Sequence, residues 1–168
     1  DDIERERKAV GGKLTAEERA EQKKYAKLAD SLTPLAKGMN SEFCNQNAYD
    51  CIQIHGGSGF MMEYACQRYY RDARITSIYE GTTQLQVVAG IRYVTNGSYL
   101  AQCREFEAQT VSEAMQPLQK RSVAMANMLE EATAHAKDAG DQDFLDLCAR
   151  HLYEMVALSI MSHLIQYN

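Results

Sequence analysis

The most informative segment of this chain begins Gln53-Ile54-His55-Gly56-Gly57-Ser58-Gly59-Phe60. After ten intervening residues it continues with Arg71-Asp72-Ala73-Arg74-Ile75 and then Ile78-Tyr79-Glu80-Gly81-Thr82-Thr83-Gln84. Apolar residues recur at steps of three and four on either side of these stretches, which is the spacing of helices. The glycines and the Glu80-Gly81 pair fall between the helical patterns, so they mark turns. The segment therefore predicts three helices joined by two turns, and both turns are candidates for functional sites.

The rest of the chain predicts the same all-α fold class, because it has only two prolines and lacks long stretches of alternating β-branched residues. One helix is expected to begin at Pro34, with Thr33 as its N-cap, and to stop at the Gly56 turn. A further helix should begin near Thr82 and end at Asn96-Gly97. We therefore expect an up-and-down helical bundle.

The two ends of the chain add further helices. Near the N-terminus, Thr15 and Glu18 form a capping-box pattern, and the helix that follows to about Asp30 is nearly all charged. Near the C-terminus, a helix break before Pro117 and another at Ala139-Gly140 separate two apolar stripes. The stripes predict an antiparallel helical hairpin whose second helix has its N-cap at Asp141.

Composition excludes several classes of protein. At 168 residues and 45% hydrophobic, the chain can bury one substantial core, and a net charge of −5 argues against binding nucleic acid. No apolar run is long enough for a membrane span. The five cysteines form no Cys-x-x-Cys pair and the four histidines have no ligand-like spacing, so we expect no metal site and a reducing, cytoplasmic location.

Glu80 is the residue most open to a catalytic interpretation. The only acids between residues 51 and 100 are Glu63, Asp72 and Glu80. A glutamate in an apolar slot gains basicity by desolvation, whereas an exposed turn glutamate remains ordinary. The turn at Gly56-Gly57 has two interpretations as well, since such glycines either end a helix or let a ligand approach the backbone.

The motifs in combination resemble the flavin-dependent acyl-CoA dehydrogenase family, from about residue 34 to residue 95. The resemblance implies the family's C-terminal helical domain, an acyl-CoA substrate and Glu80 as the base that removes the proton α to the thioester carbonyl. It also implies that Tyr79 and Gly81 contact the substrate, with Tyr79 lining the acyl pocket. The backbone N–H of Glu80 would polarise the carbonyl.

The same resemblance implies an FAD cofactor and its contacts. Thr82 and Gln84 match residues that contact FAD in the same subunit. Gln53, Gly57 and, less closely, Gly56 match the turn that touches the FAD of a neighbouring subunit. A homo-oligomer, either a dimer or a tetramer, would then be needed for catalysis. The electron acceptor implied for the family is an electron-transfer flavoprotein.

The resemblance divides the chain into residues 1–98, the C-terminal domain with a charged insertion at about 3–30, and residues 99–168, a helical extension. The family's N-terminal helical and middle β domains are not in this sequence. We therefore expect a C-terminal fragment that is inactive alone. Two alternatives remain: a fragment of an acyl-CoA oxidase, and a non-catalytic helical interaction module that would use residues 117–167 as its binding face and leave Glu80 exposed.

Overall fold

The computed structural model describes residues 5, 9, 11–138, 140 and 142–166. Every regular element within these residues is helical, which confirms the predicted all-α class. The helices are α1 Ala16–His55, α2 Gly57–Phe60, α3 Cys66–Thr76, α4 Thr83–Thr95, α5 Ser98–Glu107, α6 Gln116–Asp138 and α7 Gln142–Ile165, with a 3₁₀ turn at Glu113–Met115. No helix in this part of the chain is both long and apolar enough to cross a membrane.

The chain forms two compact units, Asp1–Thr33 and Pro34–Asn168. In the first unit, the predicted capping box is confirmed. The backbone N–H of Thr15 donates to Glu18 Oε2 at 2.8 Å, and the backbone N–H of Glu18 donates to Thr15 Oγ1 at 3.2 Å. The predicted N-cap at Asp141 lies outside the described residues.

The prediction that a new helix begins at Pro34 was wrong, because α1 runs through this residue without a break. Proline removes a single backbone donor, here the one that would bond to the carbonyl of Asp30. The side chain of Thr33 does not cap a helix but donates to the carbonyl of Ala29 at 2.8 Å. Beyond the proline, buried Leu35 and Met39 continue the helical spacing, so packing outweighs the local cost of Pro34.

The core of the second unit lies where α4, α5, α6 and α7 pack against one another. Helices α6 and α7 form the predicted C-terminal hairpin, and α7 also packs on α4 and α5. The largest fully buried side chains are Tyr99, Tyr153, Leu129, His163, Val87 and Val156. Burial of the leucine and valine side chains among them stabilises the unit by about 1.5–3 kcal/mol each.

Tyr153 connects α7 to two other helices. Its ring is fully buried, and its hydroxyl donates to the carbonyl of Pro34 at 2.7 Å. Glycine provides the space: a Cβ at Gly38 on α1 would lie 2.1 Å from the Tyr153 hydroxyl, and one at Gly90 on α4 would lie 2.8 Å from its ring. Burial raises the pKa of Tyr153 to about 12, so the hydroxyl stays protonated and donates.

Polar side chains of α1 satisfy the C-terminal carbonyls of α3. Ser41 Oγ donates to the carbonyl of Thr76 at 2.9 Å, and Asn45 Nδ2 donates to the carbonyl of Ala73 at 3.1 Å. The last carbonyls of a helix lack partners within the helix, so these bonds fix where α3 ends. The turn that follows α3 is thereby held against α1.

Candidate active site

The turn between α3 and α4 contains the predicted base. Glu80 has a φ of 54° and is the only non-glycine residue in the described part of the chain with positive φ. Gly81 follows at a φ of 90°. Left-handed backbone at a residue with a Cβ costs free energy and persists only where surrounding contacts impose it. Contacts with surrounding residues therefore impose the conformation of this turn.

Lys37 of α1 supplies the main contacts. Its Nζ donates to the carbonyl of Gly81 at 2.7 Å and to that of Thr76 at 2.8 Å, so it spans the base of the turn. The same nitrogen lies 5.8 Å from the centroid of the Tyr79 ring. Gln86 of α4 adds a donor 3.3 Å from the carbonyl of Glu80. Hydrogen bonds from a charged donor are among the stronger ones in proteins.

The side chain of Glu80 is exposed, as are those of Tyr79 and Ile78. The apolar slot that would desolvate Glu80 is therefore not formed by the described residues. Any apolar wall around the carboxylate has to come from atoms outside these residues. The backbone N–H of Glu80 also has no acceptor among the described residues.

A cleft of about 420 Å³ opens on the α4 side of the turn. Thr82 and Gln84, predicted to contact a cofactor, both line it. Thr82 is the N-cap of α4, as its predicted start requires, and its Oγ1 accepts from the backbone N–H of Leu85 at 3.3 Å. Its O–H remains able to donate to a ligand. The other lining residues are Glu42, Asn45, Arg74, Ser77, Ile78 and Thr83.

A series of polar contacts joins this cleft to α7. Thr83 Oγ1 donates to Glu42 Oε1 at 2.6 Å, and Arg150 Nη2 lies 3.7 Å from Glu42 Oε2. Arg150 also pairs with Glu154. No local sequence pattern indicates a role for Glu42 or Arg150, because their partners lie far away along the chain.

The glycine turn forms where α1 ends at His55, as predicted. Gly56 has a φ of 58°, and its N–H donates to the carbonyl of Gln53 at 3.2 Å. Gln53, Gly56 and Gly57 are all exposed, and a Cβ at either glycine would meet nothing within 4 Å. Gly59 differs, because a Cβ there would lie 2.7 Å from the carbonyl oxygen of Ile52. Gly59 therefore allows close packing against α1, whereas the backbone at Gly56 and Gly57 is accessible.

The predicted site residues thus form two groups in this chain. Tyr79, Glu80 and Gly81 make the turn that leads directly to Thr82 and Gln84. Residues 53–57 belong to the other turn and do not line the cleft at α4.

One cluster near the glycine turn was not expected from sequence. Cys51, His55 and Cys66 place one ligand atom each within 4.8 Å of the others. Cys51 and His55 stand four apart on α1, whereas Cys66 is brought to them by the fold. Spacing along the chain could not reveal the third member.

Two sequence profiles of known families match the chain. The one described as "Acyl-CoA dehydrogenase, C-terminal domain" matches residues 3–92, and the one described as "Acyl-CoA dehydrogenase C terminal" matches residues 95–168. The chain belongs to the acyl-CoA dehydrogenase family.

The chain is also similar in sequence to individual proteins. The chain is 36% identical over 138 residues to 3-methylmercaptopropionyl-CoA dehydrogenase of Ruegeria pomeroyi, covering 75% of this chain and 22% of that protein. It is 50% identical over 58 residues to the mitochondrial short-chain specific acyl-CoA dehydrogenase of Rattus norvegicus, covering 33% and 14%. It is 48% identical over 59 residues to the caffeyl-CoA reductase-Etf complex subunit CarC of Acetobacterium woodii, covering 34% and 16%. The chain therefore spans 14–22% of the lengths of these relatives. No solved structure matches it.

Proposed function

We propose that this chain is the C-terminal helical part of an FAD-dependent acyl-CoA dehydrogenase. The whole enzyme would remove the α-proton and the β-hydride of an acyl-CoA thioester and release the trans-2-enoyl-CoA. The observation that carries the proposal is the left-handed Glu80-Gly81 turn, held by Lys37 within the segment that matches the family. Strained backbone of this kind is concentrated at functional sites.

Glu80 is the proposed base. Lys37 and Gln86 fix the backbone of the turn, so the Cα of Glu80 has a defined position. The side chain of Glu80 remains accessible. A thioester bound against this turn and covered by apolar groups would desolvate the carboxylate and raise its basicity. The backbone N–H of Glu80 is available to donate to the thioester carbonyl, which stabilises the developing enolate charge.

The residues proposed to hold FAD fit parts of that group. Thr82 and Gln84 line the cleft with a hydroxyl and an amide at the N-terminal end of α4, where the helix dipole favours electron-rich ligands. Gln53 and the open backbone of Gly56 and Gly57 offer polar contacts to an extended ligand. Bound FAD would supply the acceptor for the β-hydride.

The same division of residues is the basis for a proposed assembly. We propose that Gln53, Gly56 and Gly57 contact the FAD of a neighbouring subunit in a homo-oligomer, while Thr82 and Gln84 contact that of their own. Large apolar side chains near the glycine turn support a covered surface here, since Ile54 and Phe60 are 83% and 77% exposed in the chain alone. An electron-transfer flavoprotein is the proposed electron acceptor.

The exposure of Glu80 is the observation that the interaction-module alternative predicts. Membership of the enzyme family, the strained turn and the Lys37 contacts favour the catalytic proposal. A binding module would need neither a left-handed glutamate nor a charged donor beneath it.

Replacing Glu80 tests the proposal directly. In the flavin-loaded enzyme that carries this domain, Glu80→Gln should retain bound flavin yet reduce the rate of flavin bleaching by butyryl-CoA by at least about 100-fold, the lower end for general-base catalysis. Glu63→Gln, at another exposed glutamate, is the matched control and should bleach normally. Normal bleaching of Glu80→Gln would exclude Glu80 as the base. Reoxidation of the reduced flavin by oxygen, rather than by an electron-transfer flavoprotein, would favour the oxidase alternative.

The chain by itself should be colourless. Because residues that enclose the cofactor are proposed to lie elsewhere in the enzyme, the purified 168-residue chain is expected to bind FAD weakly or not at all. Absorbance of the chain after gel filtration with excess FAD measures this. A yellow chain that butyryl-CoA reduces would contradict the proposal that the site is completed by further domains.

A further inference from the structure

Three side chains that commonly bind metals converge where α1 meets α3. Cys51 and His55 stand at positions i and i+4 of α1, so they lie on one face of the helix. Cys66 begins α3, and its sulfur is 3.4 Å from that of Cys51. Together with one ring nitrogen of His55, the ligand atoms all lie within 4.8 Å of one another.

These separations suit a small tetrahedral ion. Zinc binds thiolate sulfur at about 2.3 Å and imidazole nitrogen at about 2.0–2.1 Å. Two sulfurs on a tetrahedral zinc are then roughly 3.8 Å apart, so the observed 3.4 Å needs only a small adjustment. Thiolate and imidazole ligands select zinc and similar thiophilic metals over magnesium or calcium.

The ring of His55 has a supporting hydrogen-bond partner. Its Nδ1 lies 2.8 Å from the carbonyl oxygen of Cys51 and donates to it in the Nδ1–H tautomer. That tautomer leaves the lone pair on Nε2 for a metal. Hydrogen bonds of this kind orient metal-binding histidines and strengthen them as ligands.

We propose that Cys51, His55 and Cys66 bind one thiophilic divalent metal ion, with zinc as the expected metal. The site has three protein ligands. Because His55 is exposed and Cys51 half-buried, the fourth position faces solvent and takes water or an added ligand. Binding converts both thiols to thiolates and releases their two protons to solvent.

This proton release makes the affinity depend on pH. Protons compete with the metal for the two sulfurs, so raising the pH favours metal binding.

The proposed ion would join the two ends of the segment that contains the glycine turn. Cys51 and His55 precede Gly56 and Gly57, and Cys66 follows them. A metal bridge between α1 and α3 restricts the loop between them. The glycine turn would then be more rigid in the metal-bound chain than in the metal-free chain.

Cobalt provides the most direct test. The reduced, metal-free chain is titrated anaerobically with Co²⁺, and thiolate-to-cobalt charge transfer and tetrahedral d–d bands are recorded; zinc affinity follows from displacement. We expect one Co²⁺ per chain. Cys51→Ser and Cys66→Ser should remove the charge-transfer band progressively. His55→Gln should weaken binding by more than the roughly 10–100-fold that a lost supporting partner costs.

Cys44→Ser is the matched control, because Cys44 is an exposed cysteine on the same helix. This variant should bind Co²⁺ like the unaltered chain. Since Cys66 is buried, circular dichroism checks the fold of its variant, and Cys51→Ser and His55→Gln carry the test at more accessible positions. The proposal is overturned if the reduced chain binds no cobalt, or if the Cys51→Ser spectrum matches that of the unaltered chain.

Discussion

Lys37 is the residue on which the geometry of the candidate catalytic turn depends most. Its ammonium group joins the end of α3 to Gly81, and no sequence pattern distinguishes it from other lysines. Its two acceptors lie 39 and 44 residues further along the chain. Glu80, by contrast, was identified from its neighbours in sequence. A residue that acts through the backbone of a distant turn leaves no local signal.

Lys37→Met should loosen the turn while leaving the helices intact. Two charge-assisted hydrogen bonds are lost, so we expect about 1–3 kcal/mol less stability. Hydrogen exchange at the amides of residues 81–83 should accelerate. Lys120→Met, at an exposed position on α6, is the control and should leave both measurements unchanged. Unaltered exchange at the turn in Lys37→Met would mean that Gln86 and the chain itself suffice to hold it.

At the scale of helices, contact between α7 and the earlier helices gives residues beyond 98 a structural connection to the candidate site. Tyr153 packs against Gly38 and Gly90, and Arg150 reaches Glu42 beside Thr83. The boundary between residues 98 and 99 stays a prediction. The packing adds that α7 supports α1, which contacts the turn through Lys37, and α4, which follows the turn.

Gly38→Ala should destabilise the second unit by about 1–3 kcal/mol, because the new methyl group would overlap the Tyr153 hydroxyl. Tyr153→Phe should cost about 1 kcal/mol by removing the bond to the carbonyl of Pro34. The double variant should lose less than the sum, since phenylalanine at position 153 removes the oxygen that the new methyl group would overlap. Urea unfolding measures all three.

Gly57→Ala is the control for the substitution itself, because a Cβ at Gly57 meets nothing within 4 Å. It should change stability by much less than Gly38→Ala. Strictly additive effects of Gly38→Ala and Tyr153→Phe would show that the two residues are not coupled through the hydroxyl.

At the scale of the whole second unit, a histidine of α7 is buried in the core against α5. His163 is fully buried, stacks on Phe106 and has Nε2 3.9 Å from Glu107 Oε1. Burial lowers the pKa of His163 below its ordinary value of 6.5, and this outweighs the opposing effect of Glu107. The folded core therefore holds a neutral imidazole.

Stability should fall as the pH drops below about 6.5. In that range the unfolded chain takes up a proton at His163 that the folded chain resists, so acid favours unfolding. The contribution is fully present above about 6.5 and is lost as the pH falls toward the lower folded pKa, with a slope of at most about 1.4 kcal/mol per pH unit. His163→Gln should flatten the profile of unfolding free energy between about pH 7.5 and 5. His151→Gln, at an exposed histidine, should not; parallel profiles for all three chains would refute the assignment to His163.

Local signals in the sequence determined the helical class, the capping box at Thr15, the stop at Gly56, the start at Thr82 and the motifs that indicate the family. Each depends on residues within a few positions of one another, where helix caps, turns and helical spacing are encoded. Only the tertiary structure decided that α1 continues through Pro34, that Lys37 holds the Glu80 turn, that Glu80 is exposed and that Cys66 joins Cys51 and His55. Those features depend on contacts between distant residues, and packing free energy, which local patterns do not contain, selects them.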